Sequence, residues 1–193
     1  MCVSKAVHGG ERSGRRLSWR VIPVVVFLFL VAIPLTTWWL GKWLDGVLGL
    51  PVLPPFPVNL VVSVAVILCA VVLCWGSMYQ LYRGGRGFPW GDVDDAAQST
   101  ELVTTGLYRY TRNPMILGFL LLLSGIGWIS QSLTAILIIP AIAFVLLWVW
   151  LKRCEEPRLE KRFGDAYRAY KATTPLILPR PWRRAKKAGD KNN

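Results

Sequence analysis

Two short clusters of polar residues stand beside strongly apolar sequence, and they are where this chain could do chemistry. One is Glu155-Glu156-Pro157, just after the uncharged run Leu133 to Leu151. Adjacent carboxylates at the edge of an apolar segment are costly unless they are paired or hydrogen-bonded. The plain alternative is a solvated helix, with Lys152–Glu156 an attractive neighbour pair and Glu156–Glu160 a repulsive one. The other cluster is Arg109-Tyr110-Thr111-Arg112-Asn113-Pro114. Proline pushes Asn113 out of helical backbone and itself suits the first position of a helix. Here the plain reading is a cap flanked by two snorkelling arginines. Hydrolase and zinc chemistry find little support. His8 is the one histidine and sits in a basic tail, so neither a zinc site nor a Ser-His-Asp triad can be built from it. Cys2, Cys69, Cys74 and Cys154 form no C-x-x-C, and Cys69 and Cys74, inside an apolar run, read as buried free thiols.

The elements that must position these clusters are membrane-like. The chain has 193 residues, 53% hydrophobic and 18% charged, with a net charge of +12 and a mean hydropathy of +0.40. That excludes a disordered chain, a coiled coil and a typical cytosolic enzyme. The charge alone would suggest nucleic acid. Four uncharged runs, 21–40, 58–81, 115–130 and 133–151, are each read as a membrane span. Only Gln131-Ser132 parts the last two, which predicts a tight antiparallel hairpin. The first run is too long for a signal-peptide core and is read as a retained helix. With both termini cytoplasmic, every Lys and Arg except Lys42 falls on the inner side, as the positive-inside rule asks. Topology and anionic lipid at the basic ends then account for the charge, without nucleic acid.

The expected fold is therefore an all-α membrane protein with about four transmembrane helices. Residues 1–20 read as a basic cytoplasmic tail, 21–180 as the membrane domain and 181–193 as a polybasic tail. Gly41 to Pro57 is proline-rich and reads as an exterior loop, with Trp38, Trp39 and Trp43 as an interfacial belt. Leu159, Phe163, Ala166 and Tyr170 recur at helical spacing, which predicts a C-terminal amphipathic helix on the cytoplasmic side. Gly118 and Gly125 lie on nearly one face of the third span, with Gly127 on another. Such glycines admit either a neighbouring helix or a flat ligand.

The ordered set Arg112-Asn113-Pro114-Met115-x-x-Gly118-x6-Gly125-x-Gly127, then Glu155-Glu156-Pro157-x-Leu159-x3-Phe163-Gly164-x2-Tyr167-x2-Tyr170, resembles the integral-membrane methyltransferases. These include phosphatidylethanolamine N-methyltransferases and isoprenylcysteine carboxyl methyltransferases. The likeness covers about Leu102 to Arg180. Asn-Pro-Met and Glu-Glu-Pro look more like the phospholipid branch; the isoprenylcysteine branch has His where Asn113 stands and Arg where Leu151 stands. Many relatives have Tyr where Ile116 stands, and bacterial-type relatives have Pro-Arg-Trp in place of Pro175-Leu176-Ile177.

The resemblance implies S-adenosylmethionine as donor, held on the cytoplasmic side by Arg112, Asn113, Pro114, Met115, Gly118, Gly125, Gly127, Glu155 and Glu156. Tyr167, Tyr170 and residues 175–180 would cover the site. The implied reaction is methyl transfer to a lipophilic acceptor entering from the bilayer, a phospholipid amine or related lipid. Glu156 is the expected base, with Asp95, Glu101 and Tyr108 behind it, and Arg112 the expected cation at the reacting centre. A carboxyl O-methyltransferase of the isoprenylcysteine type is the nearest alternative. A non-catalytic membrane scaffold or accessory protein is an alternative of another class. A small transporter is disfavoured, since no span carries a charge.

Overall fold

The computed structural model describes residues 24, 27–51, 56–85 and 99–179. The basic N-terminal tail, the start of the first span, Pro54, Pro55, the acidic patch Asp92, Asp94 and Asp95, and the polybasic end lie outside the described residues. All regular structure among the described residues is helical. In chain order the helices are α1 (Ile33–Leu48), α2 (Val58–Gly84), α3 (Pro114–Ser130), α4 (Ile139–Trp150) and α5 (Glu156–Thr173), with a short 3-10 turn at Gly106–Arg109.

Three wider, π-helical stretches interrupt this series: Leu28–Ala32 before α1, Thr134–Ile138 before α4 and Leu151–Glu155 before α5. Each stands just upstream of a proline, respectively Pro34, Pro140 and Pro157. A proline in a helix has no N–H and its ring crowds the carbonyl four residues back. That carbonyl belongs to residue 30, 136 or 153, inside the wide stretch each time. The chain keeps its helical path by opening a turn rather than breaking. The apolar run of α4 therefore passes into α5 without a loop, and the same proline chemistry shapes the turn that carries Lys152 and Glu155.

Helix-to-helix packing is close. Ser63 of α2 donates to the carbonyl of Gly125 in α3 at 2.9 Å. The hairpin expected at Gln131-Ser132 is present: Gln131 adopts φ 53°, and Ser132 N donates to the carbonyl of Gly127 at 3.0 Å. α1 reaches past the expected end of the first span, because Asp45 Oδ1 accepts the Thr134 amide at 3.0 Å and so caps the helix after the hairpin. The exterior loop expected from Gly41 thus begins only after Leu48. Cys69 and Cys74 are free, but Cys69 is exposed and Cys74 half-buried, against the expectation of buried thiols.

Two helical stretches, Val58–Gly84 and Thr134–Thr173, are long and apolar enough to cross a membrane, and Pro114–Ser130 is apolar but shorter. Their outward faces carry exposed apolar residues, among them Val61, Val72, Trp75, Val145 and Leu146. Thr134–Thr173 is not one straight rod. Gly164 has φ 56° and ψ −129°, a conformation open essentially to glycine alone. Lys171 Nζ lies 2.6 Å from Glu160 Oε1 and 2.9 Å from Glu156 Oε2. Along a straight helix these residues would be about 16 and 22 Å apart, so α5 folds back on itself at Gly164. The amphipathic helix expected at the C-terminal end is two pieces joined by a sharp bend at Gly164, with Tyr167 and Tyr170 buried in the second.

Candidate functional site

The two polar clusters meet. Asn113 has non-helical backbone (φ −132°, ψ 67°) and Pro114 opens α3, so the chain turns sharply and Arg112 is directed across to the start of α5. Arg112 Nη1 lies 2.8 Å from Glu156 Oε1, with side-chain exposures of 6% and 4%. The same Nη1 donates to Tyr167 Oη at 3.2 Å, and the guanidinium carbon stands 6.0 Å from the Tyr167 ring centroid. Of these two contacts the one to the phenol is a hydrogen bond, and the one to Glu156 is an ion pair without hydrogen-bond alignment. Arg112 Nε and Glu156 Oε1 are both buried without a hydrogen-bond partner.

Glu156 is a hub. Its Oε2 is 2.9 Å from Lys171 Nζ and 3.3 Å from Lys152 Nζ. Burial alone would raise its carboxyl; the hydrogen bond from Lys171, the nearby Arg112 and the contact with Lys152 outweigh it and hold the group below the usual carboxylate range. The Glu156–Glu160 repulsion expected along the helix is removed because Lys171 bridges both. A carboxylate held ionised by three cations is a poor proton acceptor at neutral pH, so these surroundings oppose Glu156 as the base. Hydrogen bonds to Glu160 and Glu156 raise Lys171 above its ordinary value.

The turn before α3 is tied to the end of the described chain. Arg112 N donates to the Pro175 carbonyl at 2.9 Å, Thr111 Oγ1 to the Ile177 carbonyl at 2.7 Å and Asn113 Nδ2 to the Leu176 carbonyl at 3.3 Å. Leu176 and Ile177 then pack with Leu120 and Leu151. Tyr170 Oη donates to the Tyr108 carbonyl at 2.5 Å. Burial pushes the Tyr108 hydroxyl up to about 12, against a hydrogen bond to Ser77 and with help from Glu155. Burial likewise raises Tyr167 and Tyr170.

Beside Arg112 opens a cavity of about 350 Å³ lined by Arg112, Trp148, Lys152, Lys171 and the turn from Ala172 to Leu176. Of the expected site residues, Arg112 and Glu156 are in contact, Asn113 and Pro114 form the turn beside them, and Glu155 is half-buried next to Glu156. Met115 lies in the first turn of α3, its carbonyl accepting from Cys74 Sγ at 3.7 Å. The three glycines serve packing. A Cβ at Gly118 would sit 2.6 Å from Cys74 Sγ, at Gly125 2.5 Å from an Ile67 carbon, and at Gly127 2.5 Å from the Ile136 amide nitrogen. The room they leave is filled by protein, which corrects the flat-ligand reading. Among the other expected bases, Glu101 is exposed and Asp95 lies outside the described residues.

Sequence reasoning missed Lys171, Thr111 and Trp148. Lys152 was visible as a helical neighbour of Glu156. Lys171 had no signal of its own, since only the reversal at Gly164 brings it near.

The phospholipid methyltransferase family model matches residues 58–166. Over 162 residues the chain is 28% identical to a nickel-cobalt-cadmium resistance protein, NccN, of Alcaligenes xylosoxydans xylosoxydans, covering 84% of this chain and 63% of that protein. It is 26% identical over 145 residues to a protein-S-isoprenylcysteine O-methyltransferase of Schizosaccharomyces pombe, covering 72% of this chain and 60% of that one. It is 34% identical over 94 residues to methanethiol S-methyltransferase 1 of Bradyrhizobium diazoefficiens, covering 48% and 30%. The chain thus spans under two thirds of the length of each of these relatives. With the matched region running from α2 into the folded-back α5, the chain belongs to the phospholipid methyltransferase family, a family of integral-membrane methyltransferases.

Proposed function

We propose that the chain transfers a methyl group from S-adenosylmethionine to a lipophilic acceptor, a phospholipid amine or related lipid. The observation that carries this reading is the buried Arg112–Glu156 pair at 2.8 Å, with an open cavity beside it. When bound, the donor supplies an electrophilic methyl on a sulfonium, in a molecule that also bears an ammonium and a carboxylate. The residues fit such a group. Arg112 has an unpartnered Nε and suits a carboxylate. Glu155, half-buried and near enough to raise Tyr108 and Tyr167, suits a cation. In this reading Glu156 fixes Arg112, Asn113 and Pro114 fix the turn that presents it, and Met115 starts the supporting helix. Excluding water and holding the reactants in place is the chief task here, and it is worth roughly 7–11 kcal/mol when done well. Tyr167 and residues 174–177, packed over Arg112, supply the exclusion.

We read the chain as crossing the membrane four times with both termini cytoplasmic. The acceptor would come from the bilayer between helices, and the basic ends would rest on anionic lipid. The exposed apolar faces of α2 and α4 support this. A carboxyl O-methyltransferase is the second reading, favoured by the cations around the cavity. Incubation of the membrane-embedded protein with methyl-labelled donor and a lipid extract should give a labelled lipid product. In detergent, S-adenosylhomocysteine should raise the melting temperature, and Glu155→Ala with Glu156→Ala should abolish that rise. Unchanged binding in the double variant refutes the donor site, and a wild-type chain that ignores the ligand supports a scaffold.

A further inference from the structure

We propose that Lys152 and Lys171 form an anion subsite, beside the donor-binding residues, for a phosphate or carboxylate group carried by the lipophilic acceptor. Every charged residue lining the cavity is a cation: Arg112, Lys152 and Lys171. The carboxylate that pairs with all three, Glu156, stands behind the wall with its side chain 4% exposed, whereas Lys152 is 38% and Lys171 34% exposed. One buried carboxylate, with Glu160 helping only Lys171, leaves the concave surface with an excess of positive charge. Arg112, with its side chain 6% exposed, lines the same cavity. A concavity of one sign with low-dielectric walls concentrates the opposite charge. The lining therefore repels the cationic end of a ligand and draws in an oxyacid group.

The remaining lining says what carries that group. Trp148 belongs to α4 and is 45% exposed, and it shares the cavity lining with Leu176 and the cations. An exposed aromatic side chain of α4 that also lines the cavity beside the cations suits an amphiphile, with its apolar part along α4 and its acid group at the lysines. Small neutral or thiol compounds lack the feature this wall recognises.

Naming this lipid the acceptor rests on the methyl-transfer reading; the subsite itself is read by binding alone. The test uses the full chain in uncharged maltoside detergent, with dihexanoyl phosphatidic acid, an N-acetylated farnesylcysteine and dihexanoylglycerol as probes and melting temperature as the readout. One or both acidic amphiphiles should stabilise the wild-type chain, their difference telling phosphate from carboxylate, and the uncharged lipid should not. Lys152→Met and Lys171→Met should each weaken that binding by about tenfold, with S-adenosylhomocysteine still bound, and Lys171→Arg should restore it. Equal stabilisation by the uncharged lipid overturns the proposal. So does loss of S-adenosylhomocysteine binding in the lysine variants, which would make the cavity the seat of the donor's own carboxylate. Should Lys171→Met fail to fold, Lys152→Met carries the test alone. A wild-type chain blind to S-adenosylhomocysteine but responsive to acidic amphiphiles refutes the donor reading and keeps the subsite.

Discussion

Glu156 carries more of the local structure than any other side chain, because three cations from three places in the chain share it. Arg112 comes from the turn before α3, Lys152 from the wide turn before α5 and Lys171 from beyond the Gly164 reversal. Its folded-state carboxyl lies below the ordinary value, so near and below pH 4.3 the unfolded chain binds the proton more readily. Stability from this group is then fully present at neutral pH and lost as the pH falls through that window. Glu156→Gln should cost about 3 kcal/mol at pH 7, since it leaves Arg112 buried without its counter-charge. Thermal unfolding between pH 7 and 3.5 should show the gap between wild type and variant closing with acid; a constant gap would mean the carboxylate is not held ionised. That two carboxylates beside an apolar run needed partners was legible from residue types. Which partners they have was not, because Lys171 and Tyr167 come near only through a long-range fold.

Among the elements, the reversal in α5 decides whether the site exists. Gly164 has open space around its missing side chain, so Gly164→Ala would meet no clash and pay only for its backbone, of order 1–3 kcal/mol. Relaxation toward a straight helix would carry Lys171 away from Glu160 and Glu156. Gly164→Ala should therefore lower the melting temperature. Gly46→Ala, in the regular part of α1 with equally open space, should be neutral or stabilise by about 0.5–1 kcal/mol. Equal effects of the two would refute the account of the reversal. The hairpin, the helix start at Pro114 and the spacing of Tyr167 and Tyr170 were readable from local pattern. The reversal was not, because Leu159 to Tyr170 fits one helical stripe as well as it fits two short ones. The extension of α1 to Leu48 was hidden for a similar reason: Asp45 looks like a loop residue until Thr134 is placed against it.

At the scale of the molecule, the proposed four-span topology puts the site on the cytoplasmic side and the Asp45–Thr134 tie at the outer end. Single cysteines replacing Gly46 and Lys161, in a background without the native cysteines, should react with a charged thiol reagent from opposite faces of a sealed vesicle. Labelling of both from one face would refute the four-span topology. Thr111, Arg112 and Asn113 are gripped by the carbonyls of Pro175, Leu176 and Ile177. The guanidinium's partners Glu156 and Tyr167 lie 44 and 55 residues after it, and the carbonyl that holds its own backbone N–H more than sixty. Until Pro175 to Ile177 have been made the turn at Arg112 lacks its grip, so a chain stalled before them would be caught with the pocket still open.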